Sequence, residues 1–104
     1  MNEAELQGQL RSLCKMLNLK YYHTYRSMKS EPGFPDVVIV APPRVIFAEL
    51  KSEIGVVSPA QKSWLDALGE CDRVETYLWR PDDWDEIGET LGYQGESKEK
   101  DRRT

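Results

Sequence analysis

The chain has 104 residues, 39% of them hydrophobic and 31% charged, with a formal net charge of -4. That length suits one domain with a modest core. No apolar run approaches the roughly 20 residues that cross a bilayer, and the acidic balance argues against a protein that coats nucleic acid by bulk charge.

Asn2 is placed to cap a first helix whose opening turn carries Glu3 and Glu5. Leu6, Leu10, Leu13, Cys14 and Leu17 follow at helical spacing, and Asn18 ends the run. Cys14 falls on this stripe, which predicts a buried thiol. Cys14 and Cys71 form neither a C-x-x-C spacing nor a disulfide framework. The first residues are polar and acidic, so no secretory signal is expected, and an intracellular, reducing compartment is. Glu3 and Gln7 are four apart and share a helix face, while Glu5 points elsewhere. Either glutamate is also explained as a capping or dipole charge.

Residues 20–25, Lys-Tyr-Tyr-His-Thr-Tyr, read as a short aromatic strand. His23 is the sole histidine and reads as structural. A polar loop then runs from Arg26 to Pro32. Arg26, Ser27, Lys29 and Ser30 offer charge and hydroxyl groups suited to phosphate oxygens. Gly33 is expected where the backbone needs a close approach or a positive φ.

Residues 36–40 and 45–51 are apolar, β-branched runs separated by Ala41-Pro42-Pro43-Arg44. Pro-Pro cannot continue a strand ladder, so the runs are predicted to form a tight antiparallel pair. In the second run Val45, Phe47, Glu49 and Lys51 take one face, and Ile46, Ala48 and Leu50 the other. Asp36 opens the first strand where the second one ends, which brings Asp36, Glu49 and Lys51 within reach of one another. Two close carboxylates repel, and each disfavours ionisation of the other. A divalent cation removes that cost, and Mg²⁺ uses one or two carboxylates while keeping room for waters and phosphate. A neighbouring lysine can orient a water or offset charge on a phosphoryl group.

Ser52 to Val57 form a loop. Ser58-Pro59-Ala60-Gln61 then reads as a capping box with proline at the first helical position. Its helix turns Ala60, Trp64, Leu65 and Leu68 inward and closes at Gly69. Residues 73–79 form a fourth strand, and Arg80-Pro81-Asp82-Asp83 breaks it. A last helix carries Trp84, Ile87 and Leu91 and stops at Gly92. Residues 95–104 contain no apolar side chain and read as a charged, disordered tail.

Gly33-Phe34-Pro35-Asp36 with Glu49-Leu50-Lys51 resembles the PD-(D/E)xK nuclease signature. Together with Ser58-Pro59-Ala60-Gln61 it is similar to the virus-type replication-repair nuclease (VRR-NUC) family, in its compact viral form. The likeness runs from about residue 3 to Trp79-Arg80-Pro81. It implies an α/β fold with the restriction-endonuclease-like αβββαβ core, a mixed four-stranded sheet flanked by helices, over residues 1–92, with 93–104 as the tail. It implies a Mg²⁺- or Mn²⁺-dependent endonuclease in which Asp36, Glu49 and the Leu50 carbonyl hold the metal and Lys51 positions the attacking water. Gln61 would reach that water or the scissile phosphate, and Glu3, with Glu5 as its rival, would assist from the first helix. Arg26, Ser27, Lys29, Ser30, Arg44 and Lys62 are the expected DNA contacts. Viral members are small homodimers that cut branched DNA such as four-way junctions. The large aromatic surface of Phe34, Trp64, Tyr77, Trp79 and Trp84 also favours a shared interface. A viral origin would place the protein in a bacterial host's cytoplasm. A catalytically silent DNA-binding or assembly module of the same fold, or a nuclease on flapped DNA or RNA, stays open on these residues alone.

Overall fold

The computed structural model describes residues 1–25 and 28–93. Helix α1 spans Glu3–Met16, strand β1 Lys20–His23, β2 Val37–Ala41 and β3 Arg44–Leu50. Helix α2 covers Pro59–Gly69 and β4 Val74–Trp79; a 3-10 turn at Pro81–Asp83 leads into α3, Trp84–Leu91. The strands lie in the order β1-β2-β3-β4. β2 is antiparallel to both of its neighbours, β1 and β3, and β4 runs parallel to β3. The parallel step requires a crossover, and α2 supplies it. The sheet is therefore mixed, as expected, and flanked by helices.

Local chemistry sets the ends of these elements. Asn2 Oδ1 accepts the Glu5 N–H at 2.8 Å while Glu5 Oε1 accepts the Asn2 N–H at 2.9 Å, a reciprocal cap on α1. Asn18 follows the helix at φ 59°, and Gly92 ends α3 at φ 89°. The hairpin between β2 and β3 turns on Pro42 and Pro43, joined by a cis peptide, with Ala41 paired to Arg44.

The two sheet faces differ in depth. Val37, Ile39, Ile46, Ala48 and Leu50 are buried in one core with Leu6, Leu10, Leu13 and Cys14 of α1 and Ile87 and Leu91 of α3. Burial pushes the Cys14 thiol up to about 11, in keeping with an inert core cysteine. The opposite face is thinner, and no residue of α2 is fully buried. There Phe34 meets Phe47 and Trp64 edge-on, with ring centroids 6.0 and 5.1 Å apart, and Trp64 Nε1 donates to the Pro32 carbonyl at 3.1 Å. Gly33 binds this layer together. It sits at φ 91°, and a Cβ there would lie 2.5 Å from the Ala60 carbonyl carbon. Both reasons anticipated for a glycine at this position are present.

The aromatic excess read from the sequence is largely spent inside the fold. Trp79 is buried and stacks on Tyr77 at 5.0 Å, while Phe34, Trp64 and Trp84 are half-buried. The exposed large apolar residues are others, among them Tyr22, Tyr25, Ile54 and Val56. Sheet packing consumed the rings because both faces of a four-stranded sheet need cover.

Candidate active site

The hairpin register determines the site. Val37 faces Ala48, so one step further Asp36 stands across from Glu49. Both lie on the face that α2 covers. Asp36 is fixed twice: its Oδ2 accepts the Leu50 N–H at 2.9 Å, and its carbonyl accepts the Thr24 N–H at 2.7 Å.

Glu49 is only 2% exposed. Its Oε2 accepts the Gln61 side-chain amide at 2.8 Å and lies 3.6 Å from the Lys51 ammonium. Its Oε1 is buried without a hydrogen-bond partner. Burial raises the Glu49 carboxyl to about 8; the nearby Asp36 carboxylate adds to the rise, through its charge and through a hydrogen bond that favours the protonated form, and Lys51 opposes it. An ionised Glu49 leaves Oε1 bare, whereas a protonated one can share its hydrogen with Asp36. A divalent cation between the two carboxylates would satisfy both at once, so this donor set fits a hard metal ion such as Mg²⁺ or Mn²⁺.

Gln61 joins this site to the start of α2. Its Oε1 accepts the Ser58 N–H at 2.9 Å, while its own N–H is taken by Ser58 Oγ at 3.1 Å. The amide nitrogen is then free to reach Glu49. The capping role and the site role, which compete when the residue is read in sequence, belong to opposite ends of one side chain. Lys51 leaves the end of β3 with its N–H bonded to the Trp79 carbonyl at 3.0 Å, which anchors its backbone to β4.

The other expected site residues are dispersed. Glu5 is engaged in the α1 cap, and Glu3 is exposed in the first turn. Among the described residues no group of three acidic, histidine or cysteine side chains is close enough to hold a metal ion, so Glu3 is not brought to Asp36 and Glu49. Arg44 donates to Glu75 at 2.7 Å and to the Thr90 carbonyl. It sits five residues up β3 from Glu49, about 17 Å at 3.4 Å per residue. Lys62 pairs with Asp66 at 2.9 Å on the exposed side of α2. Lys29 and Ser30 are exposed upstream of Gly33. Arg26 and Ser27, expected phosphate contacts, lie outside the described residues, as does the tail from residue 94.

Two features escaped the sequence reading. Thr24 lies in the same cross-strand row as Asp36 and Glu49, and its Oγ1 is buried without a hydrogen-bond partner. Alternation from Tyr22 could have put it there. Arg80 holds the loop after Lys51, donating from Nη1 to the Ser52 carbonyl at 2.6 Å and to the Gly55 carbonyl at 2.8 Å. Nothing in the local pattern announces that contact.

A sheet that brings Asp36 against Glu49-Leu50-Lys51, backed by a crossover helix, defines a nuclease of the PD-(D/E)xK type. The chain belongs to the VRR-NUC family, whose domain model, described as the VRR-NUC domain, matches residues 1–78. A solved structure of a "VRR_NUC domain protein" has the same fold, with a TM-score of 0.64 over 89% of this chain and 92% of that one at 19% identity. No curated protein matches the chain.

Proposed function

We propose that the protein is a divalent-metal-dependent endonuclease that hydrolyses DNA phosphodiesters at branches, acting as a homodimer. The observation that carries this reading is Glu49: a carboxylate buried beside a second carboxylate, with one oxygen unpartnered. Asp36 and Glu49 would hold Mg²⁺ or Mn²⁺, with the Leu50 carbonyl as a third oxygen. When bound, the ion supplies Lewis acidity to the attacking water and to the phosphate oxygens. Gln61 fixes Glu49 through Oε2, which leaves Oε1 for the ion. Lys51 is a donor only, with no lone pair to offer while charged. Its ammonium orients the attacking water and offsets charge that grows on the phosphate.

Branched DNA and the dimer rest on the family likeness, and the exposed Ile54 and Val56 beside the site offer apolar surface for a second copy. The test is cleavage of linear, flapped and four-way DNA with Mg²⁺, Mn²⁺ or EDTA. Activity only with metal, lost in Asp36→Asn and Glu49→Gln with the fold intact, is the expected result. Metal-independent cleavage, or full activity in both variants, would remove the site as assigned.

A further inference from the structure

Asp36 and Glu49 are each aimed by a short hydrogen bond, but Lys51 is held to Glu49 only at 3.6 Å. A four-carbon stem has many rotamers, so an ammonium on it needs a wall to keep one direction. Gly55 is that wall. A Cβ on Gly55 would lie 3.2 Å from Lys51 Cδ and 3.3 Å from Lys51 Cβ, so bare backbone runs along the stem. The Lys51 side chain is 17% exposed.

Gly55 stays there because its loop is gripped from outside. Within the loop, the Gly55 N–H reaches the Ser52 carbonyl at only 3.3 Å. Arg80 closes the same turn more firmly, using one nitrogen to hold both the Ser52 and Gly55 carbonyls. Arg80 is itself anchored: its N–H donates to Asp83 Oδ2 at 2.8 Å, and its carbonyl accepts the Asp83 N–H at 2.9 Å. The Asp82 N–H adds a second tie to the loop, at Glu53 Oε2, 3.2 Å. We propose that Arg80 is a positioning residue for the cleavage reaction, holding Gly55 against the Lys51 stem and so aiming the Lys51 ammonium at Glu49 and the attacking water. The inference rests on the reading of Lys51 given under Proposed function.

Three variants of the full chain test it. Arg80→Met keeps the apolar stem and removes both bonds. Arg80→Lys restores a charge and a donor on a shorter reach. Gly55→Ala leaves the carbonyls to Arg80 but drives a methyl into the Lys51 stem. In metal-free protein without DNA, side-chain NMR relaxation at Lys51 Cε should show Arg80→Met as mobile as exposed Lys15, Arg80→Lys in between, and Gly55→Ala displaced from the wild-type signal. With Mg²⁺ and DNA, Arg80→Met should lower kcat by up to about 100-fold, the cost that a misplacement of about 1 Å can carry. Its KM and its Mg²⁺ affinity by calorimetry should stay within about twofold, and Arg80→Lys should recover part of kcat. Unchanged Lys51 relaxation in folded Arg80→Met, or a kcat loss that tracks lost thermal stability in all three variants, overturns the assignment. Should Arg80→Met not fold, Gly55→Ala decides: unchanged Lys51 signals with unchanged kcat overturn it. Wild-type protein that cuts no DNA would defeat the nuclease reading instead, and the NMR arm would still decide the clamp.

Discussion

Glu49 is costly to keep ionised, and that cost has a sign. Its carboxyl is raised from the ordinary value of 4.5 to about 8, so the folded state binds a proton that the unfolded chain has released. The stabilisation from that proton is complete below the ordinary value and is lost as pH rises through about 8. Metal-free protein should therefore be less stable in urea at pH 8.5 than at pH 6, by on the order of a few kcal/mol. Glu49→Gln should flatten this dependence, because its amide can donate to Asp36 at every pH, while cleavage is abolished. A variant that titrates like the parent would place the proton elsewhere. Metal must displace the same proton, so calorimetric Mg²⁺ affinity is expected to fall about tenfold per unit below pH 8. Lys51→Ala should reduce kcat by about 10²- to 10³-fold and retain Mg²⁺ affinity. Loss of metal binding in that variant, with the fold intact, would contradict its assignment to water and phosphate.

At the scale of elements, the first turn of α2 is shared between helix start and active site. Gln61→Glu separates the two, since glutamate at this capping-box position still accepts the Ser58 N–H but sets a carboxylate against Glu49. Helix content and stability in acid should be preserved, while metal-free stability should fall more steeply between pH 6 and 8.5 than the parent's, because a third carboxylate makes ionised Glu49 costlier still. An unchanged pH dependence would show that Gln61 serves the cap alone. Gly33 fits the same turn of α2 from the other side. Gly33→Ala brings both a strained φ and a backbone clash at Ala60, and should cost about 1–3 kcal/mol or more in denaturant melts. This layer also marks how far the sequence could be read. The carboxylate pair was legible because strand alternation and a two-proline turn fix side-chain faces and register within sixteen residues of chain, from 36 to 51. Arg44 was not, because its partners Glu75 and Thr90 come from elements whose docking no local period records. Arg80 escaped for the same reason, reading as one more charge after a strand.

For the whole molecule, charge and surface bear on what is cut. A chain of net charge -4 can hold DNA only through local cations, and Arg44 and Lys62 are already paired within the fold. Binding should weaken with salt along a line whose slope gives the phosphates contacted, about 0.9 per contact on duplex DNA. A shallow slope is expected for one copy and a steeper one for two. Sedimentation at working concentration, beside cleavage of a four-way junction and a linear duplex of matching sequence, checks the dimer and the branch preference together. A monomer that cuts both substrates equally would sink both and leave the single-site chemistry standing.

Every side chain assigned to the chemistry comes from one uninterrupted segment, Asp36 to Gln61. The clamp from Arg80 touches that segment only at main-chain carbonyls, which any sequence supplies. Two of the segment's ties to the neighbouring strands are main-chain as well: the Asp36 carbonyl takes the Thr24 N–H, and the Lys51 N–H goes to the Trp79 carbonyl. A chimera carrying this segment in another VRR-NUC domain should then inherit the metal and pH dependence of the donor and the DNA preference of the host.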